Sequence, residues 1–540
     1  MDGKSAPGGG LLKKISSTNY LRSHCCLRPA AVLITCFAIL LSFLLVTASC
    51  LYIASPDKLN LLLWHVRNLK VDDTHKVWPS SQFWQNLTMD RGRQMHNNCA
   101  YSGCPPASDP QNVAPSPFKQ PFDRNRECPF YFHYIHEDLS PWTQAQTSNN
   151  QSVSVSKEML NKASPLANFR VVIKKGRLYV DAFVPCFQTR AIFTIWGLLQ
   201  LLRLYPGLVP DIDLLFGCGD TPRVFRRNYQ NSPPPPVFRY CTTPTDFDIP
   251  FPDWSFWGWP EVNLKPWDGE LFGILKGENE LLWEERHPTA FWKGNTDTGS
   301  ALRKGLQKCN GPQNGATIVH QDWYAEMNAH FRNSKLAEQC RHRYKIYAEG
   351  WGWSVSLKYI MACDSPAFII DPVFHDFFSR GLMPMKHFWP VRSDKLCDSI
   401  KFGTEWGNNN TNAAEAIGRS GRQYVTRDVS MKHVYDYMLH VLLEYGKLLD
   451  FEPIPGNNMK EVCVDAFLCQ APEQERVLYK ESMVHDASEE PPCFLSPRDE
   501  QLIQARNSQR LNIKRLVHEA EDSGDGGAHL LSDSNGVLIH

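Results

Sequence analysis

The sequence predicts an α/β protein with parallel sheets, and three features predict it. From about residue 168 onward, strand-like and helix-like patterns alternate. The strand-like stretches are short apolar runs: DIDLLFGCGD at 211–220, AFWKGN at 290–295, ATIVHQ at 316–321, RYKIYAEG at 343–350 and SPAFIID at 365–371. Glycine or a polar turn closes several of these runs, and ligands of open α/β sheets sit beyond the carboxyl ends of their strands.

The remaining elements follow in chain order. RVVIKKGRLYVDAF (170–183) reads as a hairpin, and AIFTIWGLLQLLRLY (191–205) is apolar at helical length. SALRKGLQKC (300–309) and SVSLKYIMAC (354–363) each read as a helix after a strand. Residues 412–450 are mostly helical, with Tyr435, Met438, Leu439, Val441, Leu442 and Tyr445 recurring on one face. From 453 the pattern weakens, and the Gly, Ser, Asp and His of 520–540 predict disorder.

The amino-terminal end is of a different kind. Ala30–Ala54 carries no charge over 25 residues, enough to cross a bilayer, and Lys4, Lys13, Lys14, Arg22 and Arg28 precede it. This predicts a signal-anchor over 30–54, a cytosolic tail over 1–29 and a lumenal remainder. A cleaved signal peptide is the competing reading, but the apolar run is long for one and starts late. Residues 55–127 read as a polar stem, with 105–122 rich in Pro, Ser and Gln. The sequons at Asn86, Asn150 and Asn409 fit a lumenal chain. So do the cysteines, 17 in all, of which thirteen lie beyond the anchor; an odd count leaves at least one unpaired or joined between chains. Lys+Arg and Asp+Glu both number 57, and there is no basic stripe, which argues against a nucleic-acid partner.

Three strand ends carry chemistry. Asp220 ends the first run after two glycines, where a carboxylate either takes a proton from an attacking hydroxyl or caps the Thr221-Pro222 turn. Asn295 and Arg303 flank the turn after AFWKGN, which suits a diphosphate or is a plain strand–helix turn with a surface arginine. In GWGWSVSLK, the residues Gly350, Trp351, Gly352, Trp353, Ser354, Val355 and Ser356 form a glycine-rich turn into a helix, and Lys358 adds charge one turn in. That stretch is either a helix capped by Ser354 or a cradle for an anion. The aromatic block at 253–269 offers Trp254, Trp257 and Trp259 as faces for a sugar, with Asn263 and Lys265 on one side if extended, or forms ordinary core. Asp211-Ile-Asp213 and Asp246-Phe-Asp248 have the spacing of a metal-holding acid pair, but the first lies at the wrong end of its strand and the second in a proline-rich loop. No metal is expected there.

CPFYFHYIHEDLSPW, PDWSFWGWPE, FWKGN followed by Arg303, and YKIYAEGWGWSVSLKYIMACDS together resemble glycosyltransferase family 90, over about 128–450, in wording closest to its plant branch. The resemblance implies a GT-B-like fold, two Rossmann-like halves with the active site in the cleft, and a catalytic domain over 128–452. It implies an inverting, metal-independent transfer from a UDP-sugar, with xylose or glucose as the sugar. A glycan or protein hydroxyl would be the acceptor, and no cofactor would be needed. Asp220 falls on the family's general base, Asn295 and Arg303 on donor contacts, and 350–358 on the nucleotide loop. That loop ends in Arg in the animal enzymes, where this chain has Ser356. Cys340 and Cys363 match a family disulfide bracketing that loop. An anchor in place of a KDEL-like tail implies a single-pass Golgi membrane protein. The competing function is a non-catalytic lumenal carbohydrate-binding or scaffold protein on the same fold.

Overall fold

The computed structural model describes residues 104, 118, 120–143, 154–278, 281–299, 301–524, 527 and 530. The expected anchor at 30–54, most of the stem and the sequons at Asn86 and Asn150 lie outside the described residues. Among the described residues, no helix is long and apolar enough to cross a membrane.

Among the described residues, thirteen strands form three sheets: β1 Asp123–Glu127, β2 Phe169–Lys174, β3 Arg177–Ala182, β4 Ile212–Phe216, β5 Val237–Arg239, β6 Ile249–Pro250, β7 His287–Gly294, β8 Ala316–His320, β9 His342–Tyr347, β10 Ala367–Ile370, β11 Phe388–Val391, β12 Lys460–Val462 and β13 Cys493–Phe494. The first large sheet has the order β12-β3-β2-β4-β5-β6. Its hairpin β2/β3 closes with Lys174 opposite Arg177, and Lys175 and Gly176 both have positive φ, the two-residue turn that matches strand twist. β4, β5 and β6 run parallel to one another. The second large sheet, β11-β10-β9-β7-β8, is parallel throughout. Parallel sheets are covered on both faces, and β4, β5, β9, β10 and β11 accordingly consist largely of buried residues.

Two apolar cores hold the sheets, and the first also takes Tyr347, Ala367, Ile369 and Phe388 from one face of the second large sheet. The first gathers the Arg190–Leu204 helix, β4 and the Met431–Gly446 helix. The Arg190–Leu204 helix is buried from Arg190 through Leu201, as its unbroken apolar run requires. Gly197 sits inside it because a side chain there would overlap the Trp257 ring, 2.5 Å from the position of a Cβ. The second core packs Tyr344, Phe368 and Trp389 of the parallel sheet against Ile400 and Trp406. Burying a side chain of that size contributes about 2–3 kcal/mol.

The carboxy-terminal region is more integrated than its weak pattern implies. β12 adds an antiparallel edge to β3, β13 pairs with β1, and Glu500–Ser523 is one helix capped by Asp499. Disulfides Cys104–Cys463 and Cys128–Cys493 join this region to residues far upstream. Two more, Cys186–Cys218 and Cys309–Cys397, staple loops within the two halves. Among the described residues Cys241 is the free cysteine, and it is buried. The predicted disordered tail is helical as far as Ser523, and residues 531–540 lie outside the described ones.

Candidate active site

The carboxyl ends of β4, β7 and β9 meet, and each brings one of the sequence-predicted residues. β4 runs into Gly217-Cys218-Gly219-Asp220. Gly217 is required because a Cβ there would lie 2.4 Å from the Arg239 guanidinium, and Cys218 is fixed by its disulfide to Cys186. The Asp220 side chain is 40% exposed, so one edge of the carboxylate faces solvent. Its Oδ1 accepts from Arg190 Nη1 at 2.7 Å, and Arg190 is buried. The guanidinium lies over the Trp254 ring, 4.5 Å from its centroid, and also contacts Phe187 at 5.2 Å. Asp220 Oδ2 has no protein partner among the described residues. Arg190 escapes sequence reasoning; the one available signal is a charge opening an otherwise apolar helix.

The turn after β7 is a second wall. Asn295 Oδ1 accepts from Asp297 N at 2.8 Å, so its side chain holds its own turn. Gly299 has φ of 95°, and a Cβ there would lie 2.6 Å from the Gly350 carbonyl carbon. Arg303, on the Ala301–Gln307 helix, donates Nε to Glu349 O at 3.0 Å, Nη1 to Asn295 O at 3.3 Å and Nη2 to Ala348 O at 3.2 Å. Of the guanidinium's five N–H donors this leaves one on each Nη. Burial lowers the Arg303 pKa, while Tyr347 and Asp220 pull it back up.

The third wall is the loop after β9. Gly350 N donates to Gly352 O at 3.0 Å, which folds Trp351 outward to 40% exposure. Gly352 passes so close to the first wall that a Cβ would lie 1.8 Å from Asp220 O. That contact joins the ends of the two large sheets. Trp353 turns inward against Tyr240 and Trp254. Ser354 N donates to Tyr347 OH at 3.0 Å, and the Ser354 and Ser356 hydroxyls are 2.9 Å apart. Val355, half-buried, packs on the first core, and the helix starts at Ser356. Cys340 and Cys363 are joined and bracket this loop.

Other predicted residues are placed elsewhere. Lys358 turns into the interior: it is buried and donates to Ser255 Oγ at 2.7 Å and, back on the loop, to Val355 O at 3.4 Å. Trp254 and Trp257 are 1% and 0% exposed, so neither offers a face to a sugar. The reason is packing: Trp254 underlies Arg190, and Trp257 donates Nε1 to Tyr435 OH. Trp259 is half-buried with Nε1 on Gln188 Oε1 at 3.0 Å. Asn263 and Lys265 are exposed, but Asn263 is left-handed (φ 55°), so the segment turns rather than extending. Asn409 is exposed at a helix end. In the two Asp-x-Asp stretches, Asp213 is held by Arg170 at 2.6 Å and Asp248 by Arg239 at 2.6 Å, both buried.

A second buried carboxyl borders the site and has no signal in the sequence. Glu349 Oε1 accepts from Val373 N and Phe374 N, which ties the β9 loop to the loop after β10. Burial pushes the Glu349 carboxyl up to about 7, against the pull of those two amides.

The model of the family described as "Glycosyl transferase family 90" matches residues 123–521. An O-glucosyltransferase rumi homolog of Anopheles gambiae is 27% identical over 351 residues, covering 62% of this chain and 82% of its own length. The O-glucosyltransferase rumi of Drosophila melanogaster is 23% identical over 374 residues, covering 67% and 84%. The human Protein O-glucosyltransferase 1 is 23% identical over 343 residues, covering 61% and 82%. Two sheets meeting at glycine-lined strand ends, around an exposed carboxylate and a buried arginine, thus sit within a family match that covers well over half of the chain: the protein belongs to glycosyl transferase family 90 and is a glycosyltransferase.

Proposed function

We propose that the chain transfers a sugar, glucose or xylose, from a UDP-sugar to a hydroxyl of a protein or glycan, with inversion and without a metal. The reading takes the two large sheets as the halves of a GT-B-like enzyme with the site in the cleft between them. The observation that carries it is the contact of Gly352 with Asp220, which sets a half-exposed carboxylate beside an arginine-braced glycine loop. The relatives that bear "O-glucosyltransferase" in their names favour glucose, and "Protein O-glucosyltransferase" favours a protein acceptor.

The chemistry follows from the residues. Asp220 Oδ2 takes the proton of the acceptor hydroxyl, and the freed oxygen attacks the anomeric carbon. The bond from that carbon to the β-phosphate oxygen breaks, and UDP leaves with the electron pair on the face opposite the attack. Arg190 holds Asp220 in one orientation. The two spare N–H groups of Arg303, the loop amides at 351 and 352 and the hydroxyls of Ser354 and Ser356 are suited to the growing charge on the diphosphate. Protein cations in place of a metal fit the fate of the Asp-x-Asp stretches, since Asp213 and Asp248 are already committed to arginines.

A single-pass Golgi membrane protein with a lumenal catalytic domain remains our reading of residues 1–54. The deciding experiment is UDP release by the purified domain against a panel of UDP-sugars, with and without EDTA. Release with one or two donors, unchanged by EDTA, is expected. EDTA-sensitive release contradicts the metal-free reading, and no release with any donor favours a binding protein.

A further inference from the structure

Lys358 is a buried cation with a defined set of partners, none of which belongs to the donor loop's anion-facing side. Its side chain is 1% exposed. Nζ donates to Ser255 Oγ at 2.7 Å and to Val355 O at 3.4 Å, and lies 3.8 Å from Asp253 Oδ2. The Phe256 and Tyr359 rings flank it at 4.4 and 4.6 Å. Ser255 Oγ donates its own proton to Asp253 Oδ1, which also accepts from Ser255 N at 2.8 Å. A second acid faces this cluster: Asp376, which accepts from the amides of Phe378 and Ser379. A chain of contacts leads onward from the Asp253–Ser255 turn. Trp254, between those two residues, supports the Arg190 guanidinium, and Arg190 holds Asp220 at 2.7 Å. The same Trp254 ring meets Trp353 of the donor loop edge-on.

We propose that Lys358 is a positioning residue: it clamps the helix behind the donor loop to the Asp253–Ser255 turn, and so holds Trp254 under Arg190 and Arg190 on the catalytic carboxylate. The inference rests on the transferase reading with Asp220 as base. Lys358 lies on the segment that follows β9, and Asp253 and Ser255 follow β6, so the clamp spans the two large sheets. A buried cation without its anions is strongly disfavoured, so the pair fixes one relative placement of the two segments. A misplaced base loses rate while binding of the leaving nucleotide is spared.

The test compares wild type with Lys358→Met and Ser255→Ala, measuring UDP affinity by calorimetry and the pH dependence of kcat/KM with the best donor of the panel. Ser255→Ala keeps Lys358 and Asp253 and guards against a Lys358→Met chain that fails to fold. Both variants are expected to bind UDP within about threefold of wild type, to lose about tenfold or more in kcat, and to shift the acidic limb of the profile. If Lys358→Met does not fold, the Ser255→Ala result decides alone. Weaker UDP binding by tenfold or more, or an unchanged kcat and acidic limb, overturns the proposal. A wild type that turns over no donor defeats the transferase reading before any variant is made, and the clamp as a device of catalysis with it.

Discussion

Asp220, the proposed base, is fixed by its neighbours. Arg190 occupies one carboxylate oxygen, the Cys186–Cys218 bond pins the loop before it, and Gly352 lies against its carbonyl. Asp220→Asn keeps the shape and removes the base, so transfer should fall by at least about a hundredfold while UDP still binds; full activity in this variant refutes the assignment. Arg190→Met removes the partner without exposing the carboxylate to a new one. A kcat loss of about tenfold to a hundredfold is expected, again with UDP affinity kept, by steady-state kinetics beside titration. Gly352→Ala is a different kind of change. Its methyl group has no room beside the Asp220 carbonyl, so the ends of the sheets must part, and both activity and melting temperature should drop. Of these residues Asp220 stood out by its place after a short buried strand, which left base and turn cap open until the family resemblance pointed to a base. Arg190 did not, because an arginine in a buried helix gives no sign of its partner until the fold brings β4 beside it.

At the scale of elements, the proposed donor loop is a segment held at both ends. Cys340 enters β9 and Cys363 leaves the Ser356–Met361 helix, and their bond closes a loop with a sequence separation of 23. A closed loop of that length constrains the unfolded chain by about 3 kcal/mol. Replacing both cysteines with serine should therefore lower stability by about that much in denaturant melts, and weaken UDP binding because the loop loses its fixed ends. The strands and helices around this loop were legible, since short apolar runs closed by glycine alternate with helical patterns. The aromatic block at 253–259 was not. Its tryptophans near a lysine fit a sugar platform as well as a core, and only the neighbours of Trp254 and Trp257, Arg190 and Tyr435, decide for the core. Lys358 follows the same logic: its charge points to a phosphate in sequence, while its depth in the structure commits it to Ser255 and Asp253.

Across the whole molecule, buried acids and buried histidines act on stability in opposite directions. Burial raises Glu349, Glu475 and Glu521 to about 7 and Asp376 to about 6, from ordinary values of 4.5 and 3.8. Each stabilises the fold fully below its unfolded value and loses that contribution as pH rises through the folded one. Burial also lowers His342, His375 and His387 to about 3, from 6.5. The unfolded chain binds those protons first, so the histidines cost stability as pH falls below about 6.5. Between about 4.5 and 6.5 the two sets oppose each other; above that range the glutamates dominate, and below it the histidines. Melting temperature against pH should therefore show a plateau at mildly acidic values, a decline toward about pH 7 and a steeper one below about 4.5. Glu349→Gln should flatten the alkaline decline, and an unchanged profile speaks against its buried proton. The ordered carboxy-terminal region acts at this scale too. Ending the chain at 452 removes β12 from the β3 edge and breaks the Cys104–Cys463 and Cys128–Cys493 links, so such a fragment should fail to yield folded, soluble protein.

The α/β class and the glycine-closed strand ends were readable in the sequence alone, because they depend on apolar periodicity and on glycines within one connection. The Cys340–Cys363 pairing came only through the family resemblance, and the fold brings those two residues together. The tertiary structure alone decided which side chains share a site, because Arg190, Asp220, Arg303 and Gly352 come from separate connections of two sheets. It also decided that the tryptophans of 254 and 257 and the lysine at 358 belong to the interior, since burial is a property of neighbours that no single segment contains.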